Sequence, residues 1–331
     1  MSTETSELTR SDWFYRSRWG AASHFLVEPQ TDADEWNRRV DRFDVGGLAG
    51  QLAEVGAGYY WLTIGQNSGH YCSPNSTYDA CTGIRPSKCS GRDLIAELAE
   101  ALASRGVRMM VYLPSGAPAA DPAAMRALGW EWGFEGGWPE AWGTRRTGKR
   151  LAEFQRTWEA VIREWSLRWG GNVHGWWFDG CYFADEMYRF SDEPNFFSLA
   201  AAARAGNPDS LVAFNPGIMV QAVTPAEDYT AGETNEPGEV EPPPDRWFGT
   251  DHREQFHVWS YLGQSWMQPP PRFDREDVVA HTRRLTARGG VMTWDVPLSP
   301  FGLIPEPFFD QLAAVGKCIR PQHRDSKALL K

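Results

Sequence analysis

The stretch HGWWFDG, residues 174–180, joins a short apolar run to a carboxylate and a glycine. An apolar run of this length, bounded by turn residues, is typical of a strand buried in a parallel sheet. A carboxylate at the end of such a strand costs free energy unless it is paired or has a function. Gly180 lets the backbone turn sharply after Asp179 and leaves the carboxylate accessible. We therefore predict a strand that ends at Asp179 and presents this side chain to a cavity.

Similar strand-like runs occur along the whole chain, and helical stretches separate most of them. The predicted strands cover residues 19–26, 59–64, 107–113, 175–179, 211–215, 228–233, 256–262 and 290–295. The clearest helix, residues 93–104, has leucines at positions 94, 98 and 102, which lie on one helical face. Strands that alternate with helices are typical of βα units and a parallel sheet. The pattern predicts the α/β class and a single TIM-like (β/α)8 barrel over residues 1–320, followed by a polar tail at 321–331.

Three long polar segments follow predicted strands, at residues 65–91, 114–149 and 234–250. The C-terminal ends of the strands of such a barrel converge on one face, where the active-site loops lie. The segment 234–250 is acidic and rich in proline, which disfavours a helix, so we predict a lid or rim loop. No Gly-x-Gly-x-x-Gly motif follows the first strand, which disfavours a nucleotide-binding domain.

The overall composition limits the partners of the protein. The 331 residues carry a formal net charge of -10, which disfavours nucleic acid and anionic membrane surfaces as partners. No apolar run approaches the length of a transmembrane helix. The polar N-terminus lacks the pattern of a secretory signal, and the odd number of cysteines, five, fits reduced thiols. We expect a cytoplasmic protein, with secretion after removal of a signal as the alternative; nothing in the sequence indicates an oligomeric state.

Tryptophan is unusually abundant, with 17 residues in the chain. An indole ring offers a flat apolar face and one N–H donor, which suits stacking on a sugar ring. The alternative is that the indoles fill the interior of a large barrel. For a single tryptophan the two interpretations weigh equally, whereas the whole set favours a carbohydrate ligand.

Asp179 is the candidate nucleophile of a glycoside hydrolase, because a rigid strand would hold it next to aromatic residues and a cavity. The structural alternative is a carboxylate that caps the next helix or pairs with an arginine. A retaining glycosidase needs a second carboxyl about 5–5.5 Å away, which acts first as acid and then as base. Glu233, at the end of the sixth predicted strand, is the first candidate and Glu236 the second. Glu236, Glu239 and Glu241 are equally compatible with solvated loop charge.

Two histidines and one further carboxylate lie where they could contact a substrate. His24 is in the first predicted strand, His70 follows the second, and Asp295 ends the eighth. A lone histidine is nevertheless more often structural. Neither His174 nor the three cysteines between residues 72 and 89 have the spacing of metal ligands, so we expect no metal and no cofactor.

The chain resembles the catalytic domain of glycoside hydrolase family 29, the α-L-fucosidases, over most of its length. The resemblance lies in the motif WFDG at 177–180 and in residues 12–25, 57–63, 93–112, 265–266 and 289–305. It implies a retaining double displacement in which Asp179 forms a covalent glycosyl intermediate. On this comparison we expect substrate contacts from His24, Trp61, Gln66, Asn67, His70, Tyr112, Trp177, Trp266 and Asp295.

The chain departs from the family after the second strand. The family reads Lys-His-His-Asp-Gly-Phe there and binds fucose hydroxyls with the histidine pair, whereas residues 65–70 read GQNSGH. Glutamine and asparagine also donate and accept hydrogen bonds, so we predict that sugar binding is kept, for L-fucose or a related sugar.

Together these features predict a retaining exo-glycoside hydrolase of the α-L-fucosidase type that acts on a carbohydrate or glycoside. An inactive carbohydrate-binding protein on the same scaffold is the alternative, motivated by the altered segment 65–70. A metal-dependent barrel hydrolase is a third interpretation, which the absence of ligand spacing disfavours.

Overall fold

The computed structural model describes residues 9–130, 150–181, 188–249 and 253–320. The predicted tail at 321–331 and much of the predicted loop 114–149 lie outside these ranges. The helices are α1 (Asp12–Ser17), α2 (Ala33–Asp41), α3 (Val45–Val55), α4 (Ser76–Thr82), α5 (Leu94–Ala103), α6 (Pro122–Leu128), α7 (Ala152–Trp169), α8 (Phe196–Ala203), α9 (Arg275–Thr286) and α10 (Glu306–Cys318). The strands are β1 (Trp19–Ser23), β2 (Tyr59–Thr63), β3 (Arg108–Pro114), β4 (Val173–Asp179), β5 (Leu211–Phe214), β6 (Trp247–Phe248), β7 (Glu254–Gln255), β8 (His257–Tyr261), β9 (Gly263–Ser265), β10 (Gln268–Pro271) and β11 (Val291–Asp295).

Seven parallel strands form one curled sheet in the order β5-β4-β3-β2-β1-β11-β8. Every strand of this sheet matches a predicted one, so seven of the eight predicted strands are confirmed. The register pairs Trp177 of β4 with Tyr112 of β3 and with Ala213 of β5. Because the strands are parallel, their C-terminal ends all meet at one edge of the sheet.

Alternation along β4 decides which side chains face the inside of the curled sheet. Trp176 and Phe178 pack in the outer core, where the ring of Trp176 lies 5.8 Å from that of Trp169 on α7. Successive side chains of a strand point to opposite faces, so Trp177 and Asp179 point inward. Trp177 belongs to a second, inner cluster that also contains Tyr112. The sequence pattern therefore places Asp179 on the inside of the sheet.

Most of the fully buried large side chains are aromatic. The tryptophans in this group are Trp19, Trp36, Trp61, Trp158, Trp165, Trp176, Trp177 and Trp294. For these eight, filling of the interior is the correct interpretation, because rings without exposed surface cannot stack on a soluble sugar. Trp266 differs, since it lies half-buried in the turn between β9 and β10.

The predicted strand at 228–233 is the exception, and the sheet does not close into an eight-stranded barrel. The segment runs between β5 and β8 but pairs only through isolated parallel bridges, Tyr229 with Gln255 and Glu233 with Trp259. The predicted closed (β/α)8 barrel is therefore confirmed only as a curled sheet of seven parallel strands with helices around it.

Carboxylates explain why the ladder is interrupted beside β5. The Asp228 N–H donates to the Val212 carbonyl at 2.9 Å, as in a regular sheet. The Val212 N–H, however, donates to Asp228 Oδ2 at 2.9 Å, and the Phe214 N–H donates to Glu227 Oε1 at 2.8 Å. Side-chain oxygens thus take the place of backbone carbonyls, and a sequence pattern does not reveal this substitution.

Several other expectations can be compared with the structure. No described helix is both long and apolar enough to cross a membrane. All five cysteines are free, and three of them are buried. The Pro-rich segment contains no helix within residues 234–249, as predicted from its prolines.

Candidate active site

Asp179 is the last residue of β4, and three donors surround its carboxylate. The Gly180 N–H donates to Oδ1 at 2.8 Å, and the Tyr112 hydroxyl donates to Oδ2 at 2.5 Å. The side-chain amide of Asn215 donates to Oδ1 at 3.0 Å. Gly180 has a φ of 77°, a left-handed conformation that glycine adopts without strain. The turn predicted after Asp179 therefore exists, and its amide holds the carboxylate in place.

Asn215 connects this carboxylate to a second one. Its Nδ2 donates to Asp179 Oδ1 at 3.0 Å and to Glu233 Oε2 at 2.5 Å. Because both oxygens contact the same nitrogen, the distance between them cannot exceed the sum of these two N···O distances. The bonded oxygens of Asp179 and Glu233 are therefore at most 5.5 Å apart. This limit agrees with the close carboxyl pair of retaining glycosidases, about 5–5.5 Å, and not with the wider pair of inverting ones.

Asn215 was not among the predicted site residues, although its position carried a signal. It directly follows the apolar strand β5, just as Asp179 ends the apolar strand β4. Its N–H donates to the Phe178 carbonyl at 2.7 Å, and its Oδ1 accepts from Gly217 N–H at 3.2 Å. These bonds fix the amide so that Nδ2 points at the two carboxylates.

Glu233 combines burial with a negatively charged neighbour. Burial, and then the charge of Asp179, raises the pKa of Glu233 to about 7, while Asn215 and His24 act in the opposite direction. A carboxyl with this pKa is substantially protonated at neutral pH, as a general acid must be.

Glu236 lies apart from this pair. Its side chain has an exposed fraction of 63%, and it forms an ion pair with Arg272, whose Nη1 lies 3.9 Å from Oε1. Its surroundings are those of solvated loop charge. Of the two predicted acid/base candidates, Glu233 lies next to Asp179 and Glu236 does not.

His24 and Asp295 form a buried pair on the other side of the site. His24 Nδ1 lies 2.9 Å from Asp295 Oδ2, and the carboxylate itself has no exposed surface. Burial alone would lower the pKa of His24, but Asp295 outweighs it and raises the pKa, helped by the charges of Asp179 and Glu233. Burial also raises the pKa of Asp295. The neighbouring carboxyls thus shift His24 toward its charged form relative to a solvated imidazole.

Gln66 joins the site through Tyr112. Its Nε2 donates to the Tyr112 hydroxyl at 2.6 Å, and this hydroxyl in turn donates to Asp179. The segment in which the chain departs from the family therefore still supplies a polar side chain, which is linked to Asp179 through Tyr112. The Asn67 side chain is half-buried. Its backbone carbonyl accepts a hydrogen bond from Ala120 N–H at 2.9 Å.

Trp61 and Trp177 lie beneath the site rather than in it. Both have only 1% of their surface exposed, and the indole of Trp177 stacks under the ring of Tyr112 at 5.2 Å. They support the polar residues above them. His70 points elsewhere: it is buried against Trp36, with ring centroids 6.0 Å apart, and burial lowers its pKa to about 4.

An aromatic rim flanks His24. The ring of Trp259 stacks on His24 at 5.7 Å, and Trp266 contacts both of these rings edge-on, at 4.9 and 5.9 Å. Trp266 was predicted from its sequence position, whereas Trp259 was not. Among the described residues no group of three or more His, Cys, Asp or Glu side chains is placed to hold a metal ion. The arrangement places two neighbouring carboxyls, one of them with a raised pKa, near a half-buried indole.

Comparison with known proteins adds a family to this geometry. A family model described as alpha-L-fucosidase matches residues 6–322, nearly the whole chain. No curated protein matches the chain by sequence comparison.

Solved structures share the fold at low sequence identity. An endo-fucoidan hydrolase, MfFcnA4 from glycoside hydrolase family 107, superposes with a TM-score of 0.70 at 16% identity, over 93% of this chain and 53% of that one. The chain therefore spans about half the length of that enzyme. Alpha-L-fucosidase isoenzyme 1 from Paenibacillus thiaminolyticus gives a TM-score of 0.59 at 18% identity, over 93% and 74% of the two chains. Alpha-L-fucosidase AlfC from Lactobacillus casei, in complex with its alpha-L-fucose product, gives 0.59 at 16% identity, over 93% and 97%.

Proposed function

The chain belongs to the alpha-L-fucosidase family of glycoside hydrolases, and on that premise we propose that it releases a terminal L-fucose, or a related sugar, with retention of configuration. One observation carries the proposal: a single amide nitrogen, Nδ2 of Asn215, holds Asp179 and Glu233 together. The raised pKa of Glu233 separates the roles of the two carboxyls, because the ionised one attacks while the protonated one donates.

In the first step, a carboxylate oxygen of Asp179 attacks the anomeric carbon as the bond to the leaving oxygen breaks. Glu233 gives its proton to that oxygen, and the sugar is left as an ester on Asp179. In the second step, Glu233, now ionised, takes a proton from water, and the resulting hydroxide oxygen bonds to the anomeric carbon. The ester bond breaks, Asp179 regains its charge and Glu233 is protonated again.

Sugar binding is assigned to the groups around this pair. The ring of His24 and the amide of Gln66 would donate to hydroxyl groups, and the half-buried indole of Trp266 would cover an apolar face of the sugar ring. The family supports fucose, and so does the shared fold with AlfC, whose structure contains its alpha-L-fucose product. We further propose that residues 228–234 take the place of the eighth barrel strand, since they run between β5 and β8.

The test is a panel of 4-nitrophenyl glycosides: α-L-fucoside first, then galactosides, arabinosides and rhamnosides. The α-L-fucoside should be hydrolysed fastest, and Asp179→Asn should lower kcat/KM by about 10⁴-fold or more, as loss of a catalytic nucleophile does. Asp209→Asn, at an exposed position at the other end of the strands, is the matched control and should leave activity unchanged.

Two outcomes would contradict the proposal. Full activity of Asp179→Asn would remove Asp179 as nucleophile. Saturable sugar binding without hydrolysis of any glycoside would favour the inactive carbohydrate-binding protein.

A further inference from the structure

A large cavity opens at the end of the strands opposite to the active site. Its volume is about 1230 Å³, and it is lined where strands begin: Gly58 precedes β2, Arg108 starts β3 and His174 lies near the start of β4. Asp179 and Asp295, in contrast, are the last residues of their strands. The length of the sheet strands therefore separates this cavity from the catalytic carboxylates.

Arginines dominate the charge of the cavity wall. Arg10, Arg16, Arg105 and Arg108 all line it. Arg10 pairs with Asp228 at 2.8 Å, but within the described parts of the chain the other three arginines have no ion pair. In a protein with a formal net charge of -10, this is a strong local excess of positive charge.

The carboxylates of the wall do not balance these arginines. Asp12 is committed to Arg246, with Nη1 and Oδ1 2.8 Å apart. Asp209 is exposed at the rim, where its N–H donates to Asn207 Oδ1. Arg16 and Arg108 thus line the cavity without an ion pair among the described residues, although the charge of Arg16 also helps to lower the pKa of Asp12. Arg105 is bonded to its own helix instead, where Nη1 donates to the Ala101 carbonyl at 2.9 Å.

Arg108 is held in place before any ligand arrives. Its guanidinium lies over the ring of Trp13, 4.6 Å from the centroid, an arrangement in which the ring face attracts the cation. Burial, and then the charge of Arg16, lowers the pKa of Arg108, so its positive charge lacks a compensating partner. An oxyanion between the two arginines would supply that partner with charge-assisted hydrogen bonds.

His174 adds a neutral polar group to the same wall. Its Nδ1 is buried, and its ring contacts that of Trp13 at 6.0 Å. Burial, and then the charge of Arg108, lowers the pKa of His174 to about 4, so the imidazole is neutral at neutral pH. The ring thus lines the cavity without adding a charge to it.

We propose that this cavity binds a small oxyanion, a phosphate or sulfate group, between Arg16 and Arg108. The planar fork of a guanidinium matches the oxygens of such a group, and the charge of Arg16 acts on Arg108 across this part of the cavity. The site is independent of the proposed hydrolysis, because its residues lie at the opposite end of the strands from Asp179.

The experiment is calorimetric titration of the full chain at low ionic strength, with inorganic phosphate in one arm and inorganic sulfate in the other. We expect saturable binding of one anion per chain, and the anion that binds more tightly shows which of the two groups the site prefers. Arg108→Gln and Arg16→Gln should each weaken binding at least about tenfold, the effect of losing one charge-assisted contact. Because Arg16 lies on helix α1 and not in the sheet, its variant also tests the site if Arg108→Gln fails to fold.

Two control variants complete the test. Arg163→Gln removes an exposed arginine of α7, and Asp179→Asn changes the active site; both should bind as the unchanged chain does. Absence of saturable binding to the unchanged chain would overturn the proposal. Equal weakening by Arg163→Gln would show non-specific attraction, and loss of binding in Asp179→Asn would place the anion at the active site; either result would also overturn it.

Discussion

The two ends of the parallel sheet carry groups of opposite charge, and these groups differ in whether neighbouring side chains pair with them. At the carboxyl end, Asp179, Glu233 and Asp295 are each held by hydrogen bonds from neighbouring side chains. At the amino end, Arg16 and Arg108 line an open cavity with no ion pair among the described residues. A fixed, partly desolvated set of carboxyls suits a reaction, because its geometry is prepared before the substrate binds. A set of uncompensated cations suits the binding of an anion instead.

Glu233→Gln should have the largest effect on the carboxyl end. With an alkyl glycoside, whose leaving oxygen needs a proton, kcat should fall by about 10²–10⁴-fold, the contribution of general acid catalysis. With a nitrophenyl glycoside the fall in the first step should be smaller, because nitrophenolate leaves without protonation. Steady-state kinetics on both substrates measures the difference.

Glu236→Gln is the matched control for this prediction, since it makes the same change on the same loop. We expect its kinetics to equal those of the unchanged enzyme, because Glu236 is exposed and paired only distantly with Arg272. If Glu236→Gln is the more damaging of the two, the assignment of the acid is wrong.

The pH profile is the next test of the same end. Because the pKa of Glu233 is raised to about 7, its protonated form is lost as pH rises through that value. We expect kcat/KM to fall about tenfold per pH unit above this point, and this limb to vanish in Glu233→Gln. A limb near the ordinary glutamate value of about 4.3 would contradict the role given to burial and Asp179.

Tyr112→Phe removes the hydroxyl that donates to Asp179 and accepts from Gln66. A hydrogen bond to a charged group contributes about 1.5–3 kcal/mol, so kcat/KM should fall by about 10–100-fold. The control is Tyr229→Phe, whose hydroxyl donates to the Trp176 carbonyl at 2.9 Å within the inner cluster. That variant should lose stability and keep its activity; if the two variants behave alike, Tyr112 is a packing residue only.

Glu227→Gln tests the junction beside β5, which is the contact of Glu227 with the end of that strand. The junction positions residues 228–234, and through them it places Glu233 next to Asp179. The carboxylate of Glu227 accepts from Phe214, Val223 and Thr224 N–H groups, and an amide nitrogen would face at least one of these donors. A buried donor left without an acceptor costs about 1–3 kcal/mol in the free energy of unfolding. Urea denaturation should show this loss for Glu227→Gln and none for Glu239→Gln, whose side chain is exposed. Equal stability of the two variants would mean that the junction does not depend on these bonds.

The sequence predicted those parts of the carboxyl end that depend on local pattern. Apolar runs identified seven strands, and a carboxylate followed by glycine identified Asp179 and its turn. Glu233 was found by its position at the end of a run, although that run is not a strand of the sheet. The missing strand could not be foreseen, because Asp228 and Glu227 replace carbonyl oxygens only once β5 lies beside them.

Side-chain direction in loops and contacts between strands were harder to predict. His70 and Gln66 lie in the same short loop, yet Gln66 reaches Tyr112 while His70 packs against Trp36. Asn215 became part of the site because β5 is the neighbour of β4, which the strand patterns alone do not specify. The arginines of the amino end are scattered along the chain from residue 10 to 108, so only the fold brings them together.

The most direct test of the central claim is to trap the glycosyl intermediate. A 2-deoxy-2-fluoro-fucosyl fluoride has a good leaving group, while its fluorine at C2 slows the second step, so the ester on the nucleophile accumulates. Mass spectrometry of the intact protein, followed by peptide mapping, should show one fluorofucosyl group on Asp179 and none in Asp179→Asn. Hydrolysis of fucosides without any label, or a label on another carboxylate, would contradict the account.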